Sequence, residues 1–393
     1  MAKIVVHGFY GEGNLGDEAI LDALIREMRR FPRARLVVFS KYPDRVAGEH
    51  AVRSVSEQDK GRRLRRMWEM LTSRLVVVGG GGLLRDLGDD PANVRRWLGI
   101  IRAAQGLRRK TALWDVGADD IRFPESAALI RETLARADFI SVRDGDSKDV
   151  LRSLGVEGEV MVAADPALLL VEPGAARTAG DASPLRVMVS VRHWFRRGLY
   201  IERADLNDSF LRALGQALDF LVEEYGATVD FMPLRTTGYD DDRSVARAVI
   251  AGMKNQHRVS LIESVPGVDC LIGVLPRYAL TIGMRLHSLI LSAGSGVPVI
   301  GLEYMPKVRG FMKSIAQEEY SLPLETISRD ALVDRITATF GSYDERRRLI
   351  RARISALREK ARESVEMLAA LAGLRTASPD PSSRGRAREG AAG

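Results

Sequence analysis

Short apolar runs, each followed by a turn and then by a stretch of helical periodicity, alternate along the first part of the chain. The runs are continuously apolar and rich in β-branched residues, which is typical of parallel strands buried on both faces. Between them, AILDALIREMRR and ESAALIRETLARA carry apolar residues at helical spacing. The runs are KIVVHG, RLVVFS, RLVVVGG, TALWDVG, DFISVRD and VMVAADP. This alternation predicts an open, Rossmann-like α/β sheet with helices on both faces.

A stretch rich in Gly, Ala, Pro and Ser, EPGAARTAGDASP, interrupts this series and predicts a linker over 172–185. A second α/β series follows, with the apolar runs RVMVSVR, ATVDFMPL, HRVSLIE, YALTIGM and VPVIGLEY. We therefore predict Rossmann-like domains over 1–171 and 186–328 that face each other across a cleft. Charged helices are predicted over 329–375. The tail, 376–393, lacks apolar residues to anchor it and is predicted to be disordered.

Composition narrows the class of protein. The chain has 393 residues, of which 46% are hydrophobic and 28% charged, as in globular domains. No apolar run approaches the roughly 20 residues of a membrane helix. MAKIVVHGFYG is not built like a signal peptide, so we expect a cytoplasmic protein. The single cysteine, Cys270, excludes an internal disulfide, and its apolar setting predicts a buried thiol.

The net charge of +7 favours an anionic partner, and an aromatic content of 6% argues against nucleic acid. Candidate chemistry lies in the turns after strands, where such sheets bind ligands. GFYGEGNLGDE has neither the glycine spacing of a dinucleotide fingerprint nor a P-loop lysine. Its Asn14 and Asp17 either cap the next helix or help to hold an anionic or hydroxylated substrate. The glycine run 79–82 requires that a ligand or the opposite domain approach the backbone closely.

Charged residues follow two further strands. Arg143 ends the run DFISV, and we expect its guanidinium to bind a carboxylate or phosphate in the cleft. The alternative is an ion pair with Asp144 or Asp146. Asp165, in the turn AADP, is expected near the same cleft.

The hexapeptide GMRLHS places Arg285 and His287 where an apolar strand ends and a helix begins. Backbone N–H groups at such a position favour an anion, and the helix dipole disfavours an imidazolium unless an anion binds. The alternative is a histidine that is hydrogen-bonded only for structure. EYMPKVRGF then supplies Lys307, so that Arg143, Arg285 and Lys307 together predict an anion site in one cleft.

These turns, in this order, resemble the polysaccharide pyruvyltransferase family. The segments that carry the resemblance are GFYGEGNLGDE, GGGGLLRD, SVRDGDS, ADPA and GMRLHSLILSAGSGVPVIGLEYMPKVRGF, and they span residues 8–311. The resemblance implies a two-domain fold like that of the B-type glycosyltransferases. It also implies phosphoenolpyruvate as co-substrate, with no other cofactor and no metal.

The implied reaction makes a cyclic pyruvate ketal across two hydroxyls of a cell-envelope or capsular saccharide and releases phosphate. A donor with a phosphate and a carboxylate needs several fixed cations. Its enol carbon must be protonated while a hydroxyl loses a proton, which requires a group that titrates near neutrality.

By the family's motifs, Arg285 and His287 line the donor pocket, with Arg143 and Lys307 beside them. Arg143 and Arg285 are expected to bind the donor's carboxylate and phosphate, and His287 or Lys307 to deliver the proton. The other expected positions are Gly283 and Ser288 on the donor side, and Asn14, Asp17, Gly80, Gly81, Asp115 and Asp165 on the acceptor side.

Two segments depart from the family pattern. WDVGADDI stands where many members carry a QGIGP-like segment, and its Asp115, Asp119 and Asp120 leave the identity of the acceptor open. PLRTTGYDDD puts three aspartates at a helix start. We expect them to be solvated, with a bound cation as the alternative.

The basic segment 59–74 has Leu64, Met67, Trp68 and Leu71 at helical spacing. An ordinary helix with this stripe on the core is the expectation. The alternative is contact with an acidic membrane at its inner face, where a lipid-linked acceptor would lie.

Other functions stay open at this stage. One is a glycosyltransferase with a nucleotide-sugar donor, although the Arg, His and Lys set favours a compact dianion. Others are a family relative with a small specialised-metabolite acceptor and a noncatalytic binding protein. GMRLH and PKV in one chain argue against loss of activity. The oligomeric state is not predicted.

Overall fold

The computed structural model describes residues 1–58, 63–87, 90–172, 184–194, 204–237 and 240–375. The predicted disordered tail, 376–393, and most of the predicted linker, 172–185, lie outside the described residues.

The described strands form two separate parallel sheets. The strands of the first are β1 Ala2–His7, β2 Ala34–Ser40, β3 Arg53–Ser56, β4 Leu75–Leu84, β5 Lys110–Ala118, β6 Phe139–Val142 and β7 Met161–Val162. Those of the second are β8 Arg186–Ser190, β9 Thr228–Phe231, β10 Val259–Leu261, β11 Leu280–Gly283, β12 Val299–Glu303 and β13 Ser321–Pro323. The orders are β3-β2-β1-β4-β5-β6-β7 and β10-β9-β8-β11-β12-β13. Both sheets therefore have the doubly wound Rossmann topology, with a switch point at β1/β4 and at β8/β11.

Helices connect the strands of each sheet. Those of the first half are α1 Leu15–Met28, α2 Pro43–His50, α3 Arg63–Leu71, α4 Ala92–Gly106, α5 Pro124–Leu134 and α6 Gly145–Ser153. Those of the second half are α7 Ala204–Tyr225, α8 Asp242–Ala251, α9 Val268–Val274, α10 Leu286–Gly294 and α11 Pro306–Ser314. Short 3-10 helices cover Pro166–Leu170, Gln256–Arg258, Leu275–Arg277, Glu318–Tyr320 and Leu324–Thr326. The chain continues into α12 Arg329–Gly341 and α13 Tyr343–Leu371.

The fold class predicted from the apolar runs is confirmed. Each run coincides with a strand. Central strands are buried on both faces of a sheet, as in LVVV of β4, whereas β7 and β10 are only partly buried. One apolar cluster includes Val6 of the first sheet, Ile282 of the second and Val365 of α13. The two sheets and the last helix therefore share one continuous core.

Helix α13 joins the two halves of the molecule. Near its start, the Arg346 guanidinium donates to the carbonyl of Val299 on the second sheet, at 2.8 Å. Near its end, the Ser364 hydroxyl donates to Asp115 at the first sheet, at 2.6 Å. The helix thus packs on both domains and fixes their separation at the cleft.

Two exposure predictions are wrong. Cys270 is exposed, at the wall of a groove that also contains Glu18 and His50. The apolar stripe of α3 points to solvent: Leu64 is 76% exposed and Trp68 61%, with Met67 and Leu71 also exposed. The buried residues of this helix are Glu69 and Met70. Within the described residues, no helix combines the length and apolar character needed to span a membrane.

Candidate active site

The carboxyl ends of both sheets meet at a cavity of about 220 Å³ between the two domains. On the first domain it is lined by Asn14 and Asp17 after β1, by glycines of β4 and by Arg143 after β6. The second domain contributes Arg192 after β8, Asp240 before α8, Arg285, Leu286 and His287 after β11, and Tyr304 and Lys307 after β12. The cavity therefore lies at the switch points of both sheets, where open α/β sheets bind ligands.

His287 is held from both domains. Its Nε2 lies 3.4 Å from Oδ2 of Asp165, which belongs to the first domain. Asp165 also caps the 3-10 helix Pro166–Leu170, because its Oδ1 accepts the N–H of Ala167 at 3.1 Å. On the other side of the imidazole, Gly16 of α1 lacks a side chain, and a Cβ there would clash with His287 Nδ1. The ring is thus clamped between a carboxylate and a helix start.

Two neighbouring cationic side chains keep the buried carboxyl group of Asp165 ionised. Burial by itself would raise the pKa of Asp165, but the charges of His287 and Arg143 hold that pKa below its usual value. An ionised Asp165 orients the imidazole through Nε2. Asp165 does not itself line the cavity but stands behind His287, so its predicted place near the cleft is that of a supporting residue.

Arg143 lies at the cavity wall, as predicted, and is also paired. Its Nε donates to Asp144 Oδ2 at 3.2 Å, and Nη1 lies 3.9 Å from Asp165 Oδ2. Burial alone would lower the pKa of Arg143, but these two carboxylates raise it, so the guanidinium is charged. Gly117 makes room for the guanidinium, because a Cβ there would lie 2.5 Å from Nη2. The segment WDVGADDI therefore supports Arg143.

The cleft position predicted for Asp115 is wrong. Asp115 is fully buried, with a left-handed φ of 47°, and accepts hydrogen bonds from Ser141 at 2.7 Å and Ser364 at 2.6 Å. Burial raises the pKa of Asp115 well above its usual value, although the two hydroxyls lower it in part. The residue ties β5 to β6 and α13.

Arg285 lies in the cavity wall, but its guanidinium already binds two carboxylates. Nε donates to both oxygens of Asp242, at 3.1 and 3.0 Å, and Nη2 lies 2.9 Å from Asp240 Oδ2. Asp240 also accepts from Arg192 Nη2, at 3.2 and 3.3 Å. Asp240 and Asp242 are 5% and 1% exposed, so the prediction of solvated aspartates is wrong for both. They hold a buried row of arginines in place.

Gly283 and Ser288 do not line the cavity. The Ser288 hydroxyl donates to the carbonyl of Arg285 at 2.6 Å. A Cβ on Gly283 would lie 2.5 Å from that hydroxyl. Both residues shape the turn into α10, so their predicted contact with a donor is wrong.

Asn14 and Asp17 act together at the start of α1. Asn14 is the N-cap, accepting from the N–H of Gly16, and its amide also donates to Asp17. Burial raises the pKa of Asp17 to about 6, although His287 and Lys307 lower it in part. Gly80 and Gly81 bring β4 against α1, since a Cβ on Gly80 would clash with Ile20 and one on Gly81 would lie 2.8 Å from Asp17. Of these two glycines, Gly81 lines the cavity.

Tyr304 and Arg192 are two polar cavity residues that the sequence reasoning missed. The phenolic oxygen of Tyr304 accepts from Arg192 Nη1 at 3.2 Å, and Lys307 Nζ lies 5.1 Å from the centre of the ring. Burial lowers the pKa of Lys307. The position of Tyr304 three residues before Lys307 in EYMPKV was an available signal, because both belong to one strand-to-helix turn.

One group in the described part of the chain has the spacing of metal ligands, Glu18, Glu49 and His50. It lies outside the cavity, and Glu18 already accepts from the N–H of Gly11 at 2.8 Å and contacts His50 at 3.3 Å. The cavity itself is dominated by cations and is suited to a small anion.

Comparison with known proteins adds a family. A family model described as polysaccharide pyruvyl transferase matches residues 14–305, which is more than half of the 393-residue chain. The amylovoran biosynthesis protein AmsJ of Erwinia amylovora is 28% identical over 140 residues. That alignment covers 34% of this chain and 32% of AmsJ, so the chain matches about a third of this relative's length.

Solved structures share the fold at low identity. MnaA of S. aureus, in a structure with UDP, superposes with a TM-score of 0.61 at 13% identity, covering 96% of this chain and 99% of that one. Alr3699/HepE of Anabaena, in complex with UDP-glucose, gives 0.58 at 13% identity, with coverages of 94% and 100%. A glycosyltransferase of Rickettsia africae gives 0.59 at 11% identity, with coverages of 94% and 98%. The chain therefore has the B-type glycosyltransferase fold, as predicted.

Proposed function

Because the chain belongs to the polysaccharide pyruvyl transferase family and is a transferase, we propose that it moves pyruvate from phosphoenolpyruvate to two hydroxyls of a glycan. The observation that carries this proposal is the pairing of His287 with Asp165 across the domains. His287 lines a cavity whose cations include Arg143, Arg192 and Lys307. A small phosphate ester with a carboxylate suits such a set better than a neutral sugar does.

The overall chemistry defines what the cavity must do. Two C–O bonds form at carbon 2 of the donor, and the bond from that carbon to the bridging phosphate oxygen breaks. Of the two hydroxyl protons, one ends on carbon 3, which becomes a methyl group, and the other leaves with phosphate. The site must therefore hold a trianionic donor, protonate a carbon and deprotonate hydroxyls.

In this proposal Arg143 and Lys307 approach the donor from opposite domains, and Arg192 lies beside them. Arg285 is bound on Asp240 and Asp242, so its role is to fix this row of cations and to add its charge to the cavity. A buried ion pair of this kind is a positioning device, because removing one partner leaves the other uncompensated.

We assign the protonation of carbon 3 to His287. Asp165 is buried behind the ring, and its carboxylate holds the imidazole in place at the cavity wall. Lys307 lies in a buried, cation-rich setting that lowers its pKa. A bound phosphate would supply the negative charge that this setting lacks and would favour the ammonium form of Lys307. We therefore assign Lys307 to the phosphate.

We further propose that the acceptor glycan is lipid-linked and that α3 contacts an acidic membrane. The exposed Leu64 and Trp68 form one apolar stripe, flanked by the exposed Arg63 and Arg65. The acid of this helix, Glu69, is buried and paired with Lys3 at 2.8 Å and with Arg53. Apolar residues between arginines are the pattern of interfacial helices.

A series of side-chain contacts connects α3 with the cavity. Arg66 of α3 donates to the carbonyl of Glu57, and the Glu57 carboxylate pairs with Arg96. The Arg96 guanidinium lies 4.4 Å from the ring centre of Trp97, which lines the cavity. A membrane against α3 would therefore contact the domain to which we assign the acceptor.

The test uses phosphoenolpyruvate labelled with ¹⁸O in the bridging position, together with a panel of lipid-linked and aryl glycosides. Ketal transfer predicts that the label leaves in phosphate, that release depends on the acceptor, and that the product methyl gains one deuterium in D₂O. Release of unlabelled phosphate, by cleavage of the P–O bond, would contradict the proposal.

The structural relatives with UDP and UDP-glucose suggest the competing outcome, a nucleotide-sugar donor. A thermal-shift assay separates the two, because a ligand that binds the folded state raises the melting temperature with its concentration. We expect stabilisation by phosphoenolpyruvate. Stabilisation by UDP-sugars alone would favour a glycosyltransferase instead.

A further inference from the structure

We propose that Tyr304 is a catalytic residue of this cavity, whose phenolate accepts the proton of the glycan hydroxyl that attacks the donor. This inference rests on the proposed pyruvyl transfer and names the base for that reaction. Tyr304 lies at the end of β12, one residue before the cap of α11, and is 6% exposed. Its side chain lines the cavity together with His287 and Lys307.

The phenolic oxygen faces cations. Arg192 Nη1 donates to it at 3.2 Å, and Arg192 is itself fixed by Asp240. The ammonium group of Lys307 lies 5.1 Å from the ring centre, and Arg192 Cζ lies 4.8 Å from it. The oxygen thus receives a hydrogen bond from a charged donor, which stabilises the ionised form of the phenol.

The other charged groups around Tyr304 act in the same direction or are already committed. Arg285 adds a third positive charge, and Arg85 also lines the cavity. The carboxylates Asp240 and Asp242 are turned toward the arginines. Burial by itself would raise the pKa of Tyr304, but Lys307, Arg192 and Arg285 together lower it to about 7.

Two buried tyrosines elsewhere provide an internal comparison. Tyr278 donates its hydroxyl to Asp230 at 3.0 Å, and Tyr10 donates to the carbonyl of Gly79 at 2.5 Å. Burial, together with carboxylates, raises the pKa of both. Tyr10 and Tyr278 therefore donate a hydrogen bond to an oxygen, whereas the Tyr304 oxygen accepts one from a guanidinium.

The protons balance with two groups. As the oxygen of the first glycan hydroxyl bonds to carbon 2, Tyr304 takes the proton of that hydroxyl. At the same time, the His287 imidazolium gives a proton to carbon 3. The second hydroxyl then bonds to carbon 2 and gives its proton to His287, as the bond to phosphate breaks. The departing phosphate takes the proton from Tyr304, so both residues return to their starting states.

The first test is kinetic. Tyr304→Phe removes the oxygen and keeps the ring, so we expect a loss of kcat of at least about 100-fold with the KM for phosphoenolpyruvate changed less than about threefold. The acid limb of the pH profile near 7 should disappear. Tyr42→Phe, at a tyrosine that is 47% exposed, is the control and should retain both.

The second test does not depend on turnover. The ultraviolet absorbance of phenolate, followed from about pH 5 to 9, should rise near pH 7 in the wild type and in Tyr42→Phe but not in Tyr304→Phe. Incorporation of fluorotyrosine should move this rise to lower pH, which provides a readout in case Tyr304→Phe does not fold.

These outcomes separate the two proposals. Turnover retained within about threefold by Tyr304→Phe, or the absence of a phenolate step below about pH 9, would overturn the role of Tyr304. A wild type that shows the phenolate step but never turns over phosphoenolpyruvate would overturn the proposed function instead. In that case Tyr304 would still be the base of the cavity, but for a different reaction.

Discussion

Single residues of the cavity owe their positions to partners that are distant in sequence. His287 is clamped by Gly16 and Asp165, and Arg143 fills the space left by Gly117. These glycines have no functional groups, yet each permits a catalytic candidate to reach the cavity. Local sequence identified candidate side chains at strand ends, but not the small residues that make room for them.

His287→Ala should abolish turnover, by at least about 1,000-fold, because the proposed proton donor is lost. The free energy of unfolding should also fall, by about 1 to 3 kcal/mol, because the buried carboxylate of Asp165 loses its imidazole partner while Arg143 stays near it. Steady-state kinetics measure the loss of turnover, and urea unfolding measures the loss of stability. Full activity would instead support a purely structural histidine.

Asp17 carries a pH-dependent stability term. Its pKa in the folded protein is about 6, against an ordinary value of 3.8, so the folded state keeps the proton to higher pH than the unfolded state does. Protonated Asp17 therefore contributes to the stability of the folded state. This contribution is fully present below about pH 4 and is lost as the pH rises through 6. Relative to the wild type, Asp17→Asn should therefore gain up to about 3 kcal/mol between pH 4 and 7.5.

Urea unfolding at both pH values measures this difference. Asp44→Asn, which removes an exposed carboxylate on α2, is the matched control. A difference between Asp17→Asn and the wild type that is the same at both pH values would contradict the assignment.

How far the site could be predicted depends on the range of the interactions. Arg143, His287 and Lys307 could be found because strand ends and helix starts are readable locally. The roles of Asp240 and Asp242 could not, because their arginine partner, Arg285, lies more than 40 residues further along the chain. Nothing in a local pattern distinguishes a solvated aspartate at a helix start from one that binds a distant guanidinium.

At the scale of elements, the long apolar runs were reliable, whereas two of the four edge strands were missed. Both β3 and β13 were missed, because RSVS and SLP carry few apolar residues and lie at or near sheet edges. The helix α3 shows the opposite limit. Its apolar spacing indicates an amphipathic helix, but the spacing is the same whether the stripe faces a core or the solvent.

The exposed stripe of α3 leads to a prediction about membranes. The protein should float with vesicles that contain phosphatidylglycerol and not with vesicles of phosphatidylcholine alone, because Arg63 and Arg65 flank Leu64 and Trp68. Leu64→Glu with Trp68→Glu should reduce the bound fraction at least about tenfold.

Met367→Glu is the matched control, since Met367 of α13 is 45% exposed and lies on a different element. Equal flotation of the α3 variant would contradict the assignment of this surface. Loss of a dimer in the α3 variant, detected by sedimentation without lipid, would reassign the stripe to a second copy of the chain. A twofold contact would bring the arginines of the two copies together, which disfavours that outcome.

At the scale of the whole molecule, the cavity exists because two similar sheets are held with their carboxyl ends facing each other. Asp165 and Arg143 come from one sheet, and His287 and Lys307 from helices that follow strands of the other. The helix α13 packs on both and shares their core. A donor that contacts both walls should therefore couple the domains.

This coupling can be measured by a double-mutant cycle on donor binding with Arg143→Ala and Lys307→Ala. Each variant should weaken the binding of phosphoenolpyruvate about 10- to 100-fold, because each removes a charged hydrogen-bond donor. If one donor bridges the two walls, the loss of either cation removes part of what the other contributes. The double variant should then lose at least about fivefold less affinity than the product of the two single losses.

The interdomain ion pair of Arg26 with Asp269, at 2.6 Å and exposed, provides the control pair because it lies outside the cavity. Asp269→Asn should change donor affinity less than about twofold and should show no coupling with Arg143→Ala. Strictly multiplicative losses for Arg143 and Lys307 would mean that these cations bind independently. A loss of donor affinity in only one of the two single variants would mean that one domain holds the donor.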